Sequence, residues 1–199
     1  MRIVALCALS LTAACGGVAL YGQADRYARF VDYAIDVEMP PNALFISQQF
    51  RKGSETGTDA HPGMDVWGPL RTPVLAAADG AVIASYYEPV YGNRVVIDHG
   101  RASDGLYRET VYMHLKERLI EEGARVQRGQ PIGLMGATGA MGMMVHLHFE
   151  VHEGPAPQHA KPRDPNLYWL NGVGKVTCFV PGSKVPTDPF RLTYPVQCR

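Results

Sequence analysis

The sequence contains no HExxH pair, the helical spacing of one large class of zinc enzymes, so any metal chemistry must come from another arrangement. It has no cluster of lysine or arginine, and 19 basic residues balance 19 acidic ones to a formal net charge of +0. That balance argues against nucleic acid as the principal partner. A GxGxxG order is also missing: Gly133, Gly136 and Gly139 are spaced as turns with no amphipathic helix behind them, so they do not form a phosphate cradle. Cysteine is scarce, and only Cys178 and Cys198 lie outside the N-terminal apolar stretch. Neither has a local motif for a thiol nucleophile, which would need a positioned histidine. No internal repeat or long low-complexity stretch is visible. What remains, at 199 residues and 46% hydrophobic content, is one globular domain plus a targeting segment.

That targeting segment is Ile3 to Leu20, an almost uninterrupted apolar or small-residue stretch behind Met1-Arg2. Three outcomes fit it: signal cleavage after Tyr21-Gly22-Gln23-Ala24, retention as a membrane anchor, or lipidation at Cys15 within Leu11-Thr12-Ala13-Ala14-Cys15-Gly16. Each places the rest of the chain outside the cytoplasm, in the periplasm or cell envelope, with membrane association through residues 1–24 if the segment is kept. Residues 25–41 read as a juxtamembrane linker, with a short helix over Ala24 to Val31 and a break at Pro40-Pro41. In an oxidising compartment Cys178 and Cys198 are expected to pair and to clasp a C-terminal tail, residues 173–199.

Residues 42–172 carry a pattern of many short strands parted by Gly, Pro, Asn and Asp turns: Leu44-Ile46, Asp65-Trp67, Val74-Ala76, Ala81-Tyr86, Arg94-Asp98, Thr110-Met113, Ile132-Met135 and Val145-His152. This predicts an all-β fold, mainly antiparallel, as a sandwich or small open barrel. Lys116 to Glu122 is expected to add a helical turn or two. Asp164-Pro165 reads as a cap and first-turn proline for a short helix over Asn166 to Leu170. The proline-containing stretch Glu153 to Arg163 suits either a cleft wall or a solvated connection.

Chemistry concentrates in three stretches: His61-Pro62-Gly63-Met64-Asp65, Tyr112-Met113-His114-Leu115, and His146-Leu147-His148-Phe149-Glu150-Val151. In the last, His146, His148 and Glu150 alternate with Leu147, Phe149 and Val151, the period of a strand with one polar and one apolar face. Same-face neighbours lie roughly 6.6 to 7 Å apart at Cα, so one imidazole can bind a metal while the next addresses what the metal binds. Pro62 and Gly63 argue that His61 and Asp65 are brought together by a turn rather than a helix face. Two imidazoles and one carboxylate make a three-ligand zinc set with a position open for water, the pattern of catalytic sites.

With these motifs the chain resembles the lysostaphin-like, LytM-type zinc endopeptidases, which cut the peptide cross-bridges of bacterial peptidoglycan. The resemblance runs over roughly residues 48 to 168 and includes Arg71-Thr72-Pro73-Val74-Leu75-Ala76 into Asp79-Gly80, Tyr91-Gly92-Asn93-Arg94-Val95-Val96-Ile97, and Gly129-Gln130-Pro131-Ile132-Gly133. It implies a two-sheet β structure of that peptidase type with a groove on one sheet, and one zinc ion per chain. It further implies that His61, Asp65 and His148 bind the zinc while His114 and His146 act on the water and the tetrahedral intermediate. Peptidoglycan stems or cross-bridges would be the substrate. The stretch Gly139-Ala140-Met141-Gly142-Met143-Met144-Val145 departs from the family's usual small polar run ending in Gly-Pro.

Two other functions compete. Relatives that lost ligands serve as non-catalytic activators of cell-wall amidases, regulatory partners rather than enzymes, but here all five positions are filled. A phosphocarrier of related β architecture also uses two histidines, yet export and the His61/Asp65 pair count against it. Outside the five, His99, His152 and His159 sit at strand ends and turns and read as structural or exposed. Met135, Met141, Met143 and Met144 suit flexible apolar packing near the groove better than a soft-metal site.

Overall fold

Eleven strands account for most of the regular structure in the computed structural model, which describes Tyr21, Gly22, residues 35–53 and residues 60–199. The apolar stretch through Leu20, Cys15 and the helix expected over Ala24 to Val31 lie outside the described residues. In chain order the strands are β1 (Ile46–Gln48), β2 (Met64–Trp67), β3 (Pro73–Leu75), β4 (Gly80–Glu88), β5 (Gly92–Arg101), β6 (Tyr107–Leu115), β7 (Glu117–Arg118), β8 (Arg125–Val126), β9 (Pro131–Leu134), β10 (His146–Gly154) and β11 (Lys161–Arg163). One sheet runs β1-β2-β10-β6-β5-β4-β8, with β11 paired to β10; the other runs β3-β9-β7. Every ladder between these strands is antiparallel. The all-β, antiparallel architecture is the one the turn-separated strand pattern predicts, and its two sheets are what the family resemblance implies.

Alternation decides which face is buried. On β10, Leu147, Phe149 and Val151 are fully buried and join Met64 and Val66 of β2, Tyr112 of β6, and Val95 and Ile97 of β5 in the main core. Each such side chain contributes about 1.5–3 kcal/mol on burial, enough to fix the register of the strand, since a one-residue slip would exchange the two faces. The second sheet supplies Val74 and Ile132 to the same core. The tail contributes as well: Leu192, Tyr194 and Val196 are fully buried, Tyr194 donates its hydroxyl to the Leu44 carbonyl at 2.8 Å, and Val196 bridges to Val74. Cys178 and Cys198 form a disulfide near the end of this segment.

Three local expectations change. Lys116 to Glu122 forms no helix; Lys116 and Leu119 donate their amides to Leu134 and Ile132, so pairing with β9 takes the backbone and yields β7. Glu153 to Arg163 is not a plain connection, because β11 folds back onto β10 after a 3-10 turn over Pro157–His159. The short helix after Asp164 is a single 3-10 turn, Pro165–Leu167, capped by Asp164 accepting from the Asn166 amide. Among the described residues no helix is long and apolar enough to cross a membrane.

Candidate metal centre

The polar face of β10 points away from the core and builds the site. His148 stands directly opposite Asp65 of β2 and Met113 of β6 in register, so strand pairing alone carries the Asp65 carboxylate to the His148 ring. Asp65 Oδ1 lies 2.7 Å from His148 Nδ1 and 3.2 Å from His61 Nε2. His61 reaches in from the stretch before β2, where its backbone pairs with Arg51 in both directions. Gly63 lets this stretch lie flat on β10: a Cβ there would come within 2.3 Å of the Phe149 carbonyl oxygen.

The donors of His61, Asp65 and His148 lie within 4.8 Å of one another, two imidazole nitrogens and one carboxylate oxygen. The chemistry of this set fits zinc, and the atoms behind it fit too. His61 Nδ1 is 2.8 Å from the Gln49 carbonyl, an acceptor only, so Nδ1 donates there and Nε2 is the nitrogen turned toward Asp65 and available as a metal ligand. His148 Nε2 is 2.9 Å from Glu150 Oε1, with the same consequence for its Nδ1. Burial pushes the Asp65 carboxyl up, but hydrogen bonds from His148 and His61 outweigh it and hold Asp65 well below the usual carboxylate range. Burial likewise lowers His148, yet the bonds to Asp65 and Glu150 raise it to about 9.

His114 arrives by a different route. Along β6, Tyr112 faces the core, and simple alternation would send His114 the same way. Instead β6 spends one extra residue against β5 between the Val95/Tyr112 and Asn93/Leu115 pairs, and His114 takes φ 60°. This bulge turns the ring to the site face and returns Leu115 to the core, the re-aiming that bulges perform beside active sites. His114 Nδ1 is 2.9 Å from the Thr138 carbonyl and its ring centroid is 4.7 Å from that of His146. The loop carrying Thr138 is seated because Gly92, at φ 71°, leaves room; a Cβ there would meet Thr138 at 2.3 Å. Burial pushes the His114 pKa down, and the neighbouring His146 and His148 push the same way.

His146 is the rim residue: Nδ1 lies 2.8 Å from the Met144 carbonyl, and Nε2 faces Asp65 Oδ1 at 3.8 Å. In both His114 and His146 the Nδ1 proton goes to a backbone carbonyl, leaving Nε2 as the nitrogen available to accept a proton. All five residues singled out in the sequence therefore converge on one face. Met141, Met143 and Met144 are exposed rather than packed, because their loop is tethered through its backbone to Pro89 and Val90 at the β4–β5 hairpin tip; Met135 alone of the four is buried.

Of the other histidines, His99 donates or accepts at both nitrogens, 2.7 Å from the Asp79 carbonyl and 2.8 Å from Thr110 Oγ1. Sequence reasoning missed His152 and Glu109, which extend the site outward from Glu150. Continued alternation past Glu150 was the available signal for His152; Glu109 gave none, since it meets His152 only through strand pairing. A cavity of about 390 Å³, lined in part by Asp79, His99, Arg125 and Arg128, includes none of the five residues.

Residues 59–165 match the model of peptidase family M23. Peptidoglycan DD-endopeptidase ShyC of Vibrio cholerae is 41% identical over 130 residues, 63% of this chain and 28% of that protein. Peptidoglycan DD-endopeptidase ShyA of the same organism is 42% identical over 91 residues, 46% of this chain and 20% of that protein. The chain thus matches less than a third of either relative's length. Among solved structures, a zinc-containing peptidase from Vibrio cholerae aligns with 35% identity and a TM-score of 0.48, covering 67% of this chain and 36% of that one.

Proposed function

The chain belongs to peptidase family M23, and from that premise we propose that it is a zinc-dependent endopeptidase that hydrolyses peptide cross-links of bacterial peptidoglycan. The observation that carries the reading is the convergence of His61 Nε2, Asp65 Oδ1 and His148 Nδ1 beside two further imidazoles whose Nδ1 atoms are tied to backbone carbonyls. His61, Asp65 and His148 would hold one zinc ion, which supplies Lewis acidity that polarises a carbonyl and lowers the pKa of water toward about 7. The remaining steps belong to the protein. One of His114 and His146, each with Nδ1 tied to a backbone carbonyl, accepts a proton at Nε2 from the attacking water. That Nε2–H then donates to the developing oxyanion and passes its proton to the leaving amine. Burial lowers the His114 pKa and so favours the neutral imidazole that can take up a proton.

The exposed Met141, Met143 and Met144 lie on the segment that leads into His146, an apolar surface for a polymeric substrate that approaches from outside. An envelope location agrees with the apolar N-terminal stretch and with the Cys178–Cys198 disulfide, a bond that persists in oxidising compartments. Residues 42–172 would form the peptidase unit proper, with residues 173–199 as a C-terminal extension that completes its core.

The test is mass spectrometry of products released from purified peptidoglycan by the zinc-loaded chain. Loss of cross-linked muropeptides, with the matching uncross-linked products appearing, supports the proposal and identifies the bond cut. An unchanged muropeptide profile from zinc-loaded protein would refute it.

A further inference from the structure

Glu150 follows His148 by two residues on β10 and lies behind its ring. Glu150 Oε1 is 2.9 Å from His148 Nε2, while the opposite nitrogen of that ring faces Asp65. The other carboxylate oxygen is held in turn: His152 Nε2 is 2.6 Å from Glu150 Oε2. His152 stands opposite Glu109 of β6 in register, with Nδ1 3.1 Å from Glu109 Oε1, and Tyr107 donates its hydroxyl to Glu109 Oε2 at 2.8 Å. Glu150 is only 5% exposed, so it does not swing into solvent, and among the described residues its side-chain hydrogen-bond partners are these two imidazoles.

We propose that Glu150 is a positioning residue of the metal centre: by accepting from His148 Nε2–H it fixes the tautomer and ring angle that aim Nδ1 at the metal, and His152, anchored on Glu109, holds Glu150 in place. The inference rests on the metal reading above and adds to it a residue outside the ligand set. An ionised carboxylate only accepts, so it pairs with a protonated Nε2 and with no other state of that nitrogen. Each imidazole of the row His148, His152 then lies between two carboxylates, Asp65 and Glu150 for the first, Glu150 and Glu109 for the second. Partners of this kind orient the ring and increase its strength as a ligand, and their loss typically costs about 10–100-fold in metal affinity.

Two substitutions in the full-length chain separate positioning from packing. Glu150→Leu fills the volume but offers no acceptor, leaving the His148 ring free to turn and Nε2–H unpaired. Glu150→Gln keeps an oxygen for His148, and its amide can donate to His152 Nε2 while His152 Nδ1–H stays on Glu109. Zinc affinity, measured by competition with a chromophoric chelator, is expected to fall by about 10–100-fold in the Leu variant and to stay within a few-fold of wild type in the Gln variant. Equal affinity in the Leu variant and wild type would overturn the proposal while leaving the metal reading intact; a wild-type chain that takes up no zinc would overturn both. Should neither variant fold, ¹⁵N chemical shifts of the histidines in the zinc-loaded wild type decide the matter. Nδ1 bound to metal and Nε2 protonated at His148 supports the assignment, and the reverse contradicts it.

Discussion

Replacing His114 by asparagine should separate catalysis from stability, because the residue sits in a conformation that suits asparagine better than histidine. His114 has φ 60° on the β6 bulge, and a residue with a Cβ in the left-handed region costs roughly 1–2 kcal/mol. Asparagine visits that region more readily, so His114→Asn recovers part of this cost. Against it stands the lost bond from Nδ1 to the Thr138 carbonyl, worth about 1 kcal/mol net. The two nearly cancel, and the melting temperature should move by no more than about 2–4 °C, the shift expected for about 1 kcal/mol in a domain of this size. Catalysis has no such compensation: removing a group that transfers a proton at the reacting atoms costs about 10²–10⁴-fold. His114→Ala keeps the left-handed cost and loses the bond, so it should be about 1 kcal/mol less stable than the asparagine variant. Thermal unfolding followed by circular dichroism and hydrolysis of a purified cross-linked muropeptide measure the two sides. An asparagine variant within tenfold of wild-type activity would remove His114 from the proton transfer, and an alanine variant more stable than the asparagine one would refute the strain argument.

Other consequences follow from residues away from the centre. Burial lowers the His99 pKa from 6.5 to about 4, so between those values the unfolded chain takes up a proton the folded chain refuses. Its contribution is therefore complete above about pH 6.5 and lost as the pH falls toward 4, by at most about 3 kcal/mol; His99→Gln should flatten urea stability over that range relative to wild type, and an unchanged pH profile would contradict this. The Cys178–Cys198 disulfide closes a loop with a sequence separation of 20, for which chain entropy gives about 3 kcal/mol, so the double serine variant should lose about that much in urea unfolding. A loss below about 1 kcal/mol would mean that tail packing alone holds the segment. Tyr194→Ala removes a fully buried ring and its bond to Leu44, and a loss of about 3–5 kcal/mol is expected; a near-neutral result would show that the tail is not part of the core.

Strand placement and four of the converging residues, His61, Asp65, His146 and His148, were legible because they depend on local pattern, whereas His114 was singled out by the family resemblance. The alternation from His146 to Val151 dictates which side chains share a face, and Pro62-Gly63 shapes the turn before Asp65. Properties set by pairing across the sheet were not legible. The bulge that turns His114 out of the core exists only in the count of β6 residues against β5. Glu109 meets His152 through a register no local signal encodes, and β7 is a strand in a charged run because β9 lies beside it. The tail's alternating Leu192, Tyr194 and Val196 carry the period of a buried strand, yet what they pack against is distant in sequence.

The most direct test of a catalytic zinc centre at His61, Asp65 and His148 is to strip the full-length chain with chelator and restore zinc stepwise while following hydrolysis of cross-linked muropeptides. Activity that returns in proportion to zinc, saturates at one ion per chain and never returns in His148→Ala is the predicted result. Activity that survives chelation, or that zinc restores equally in His148→Ala, would contradict the account.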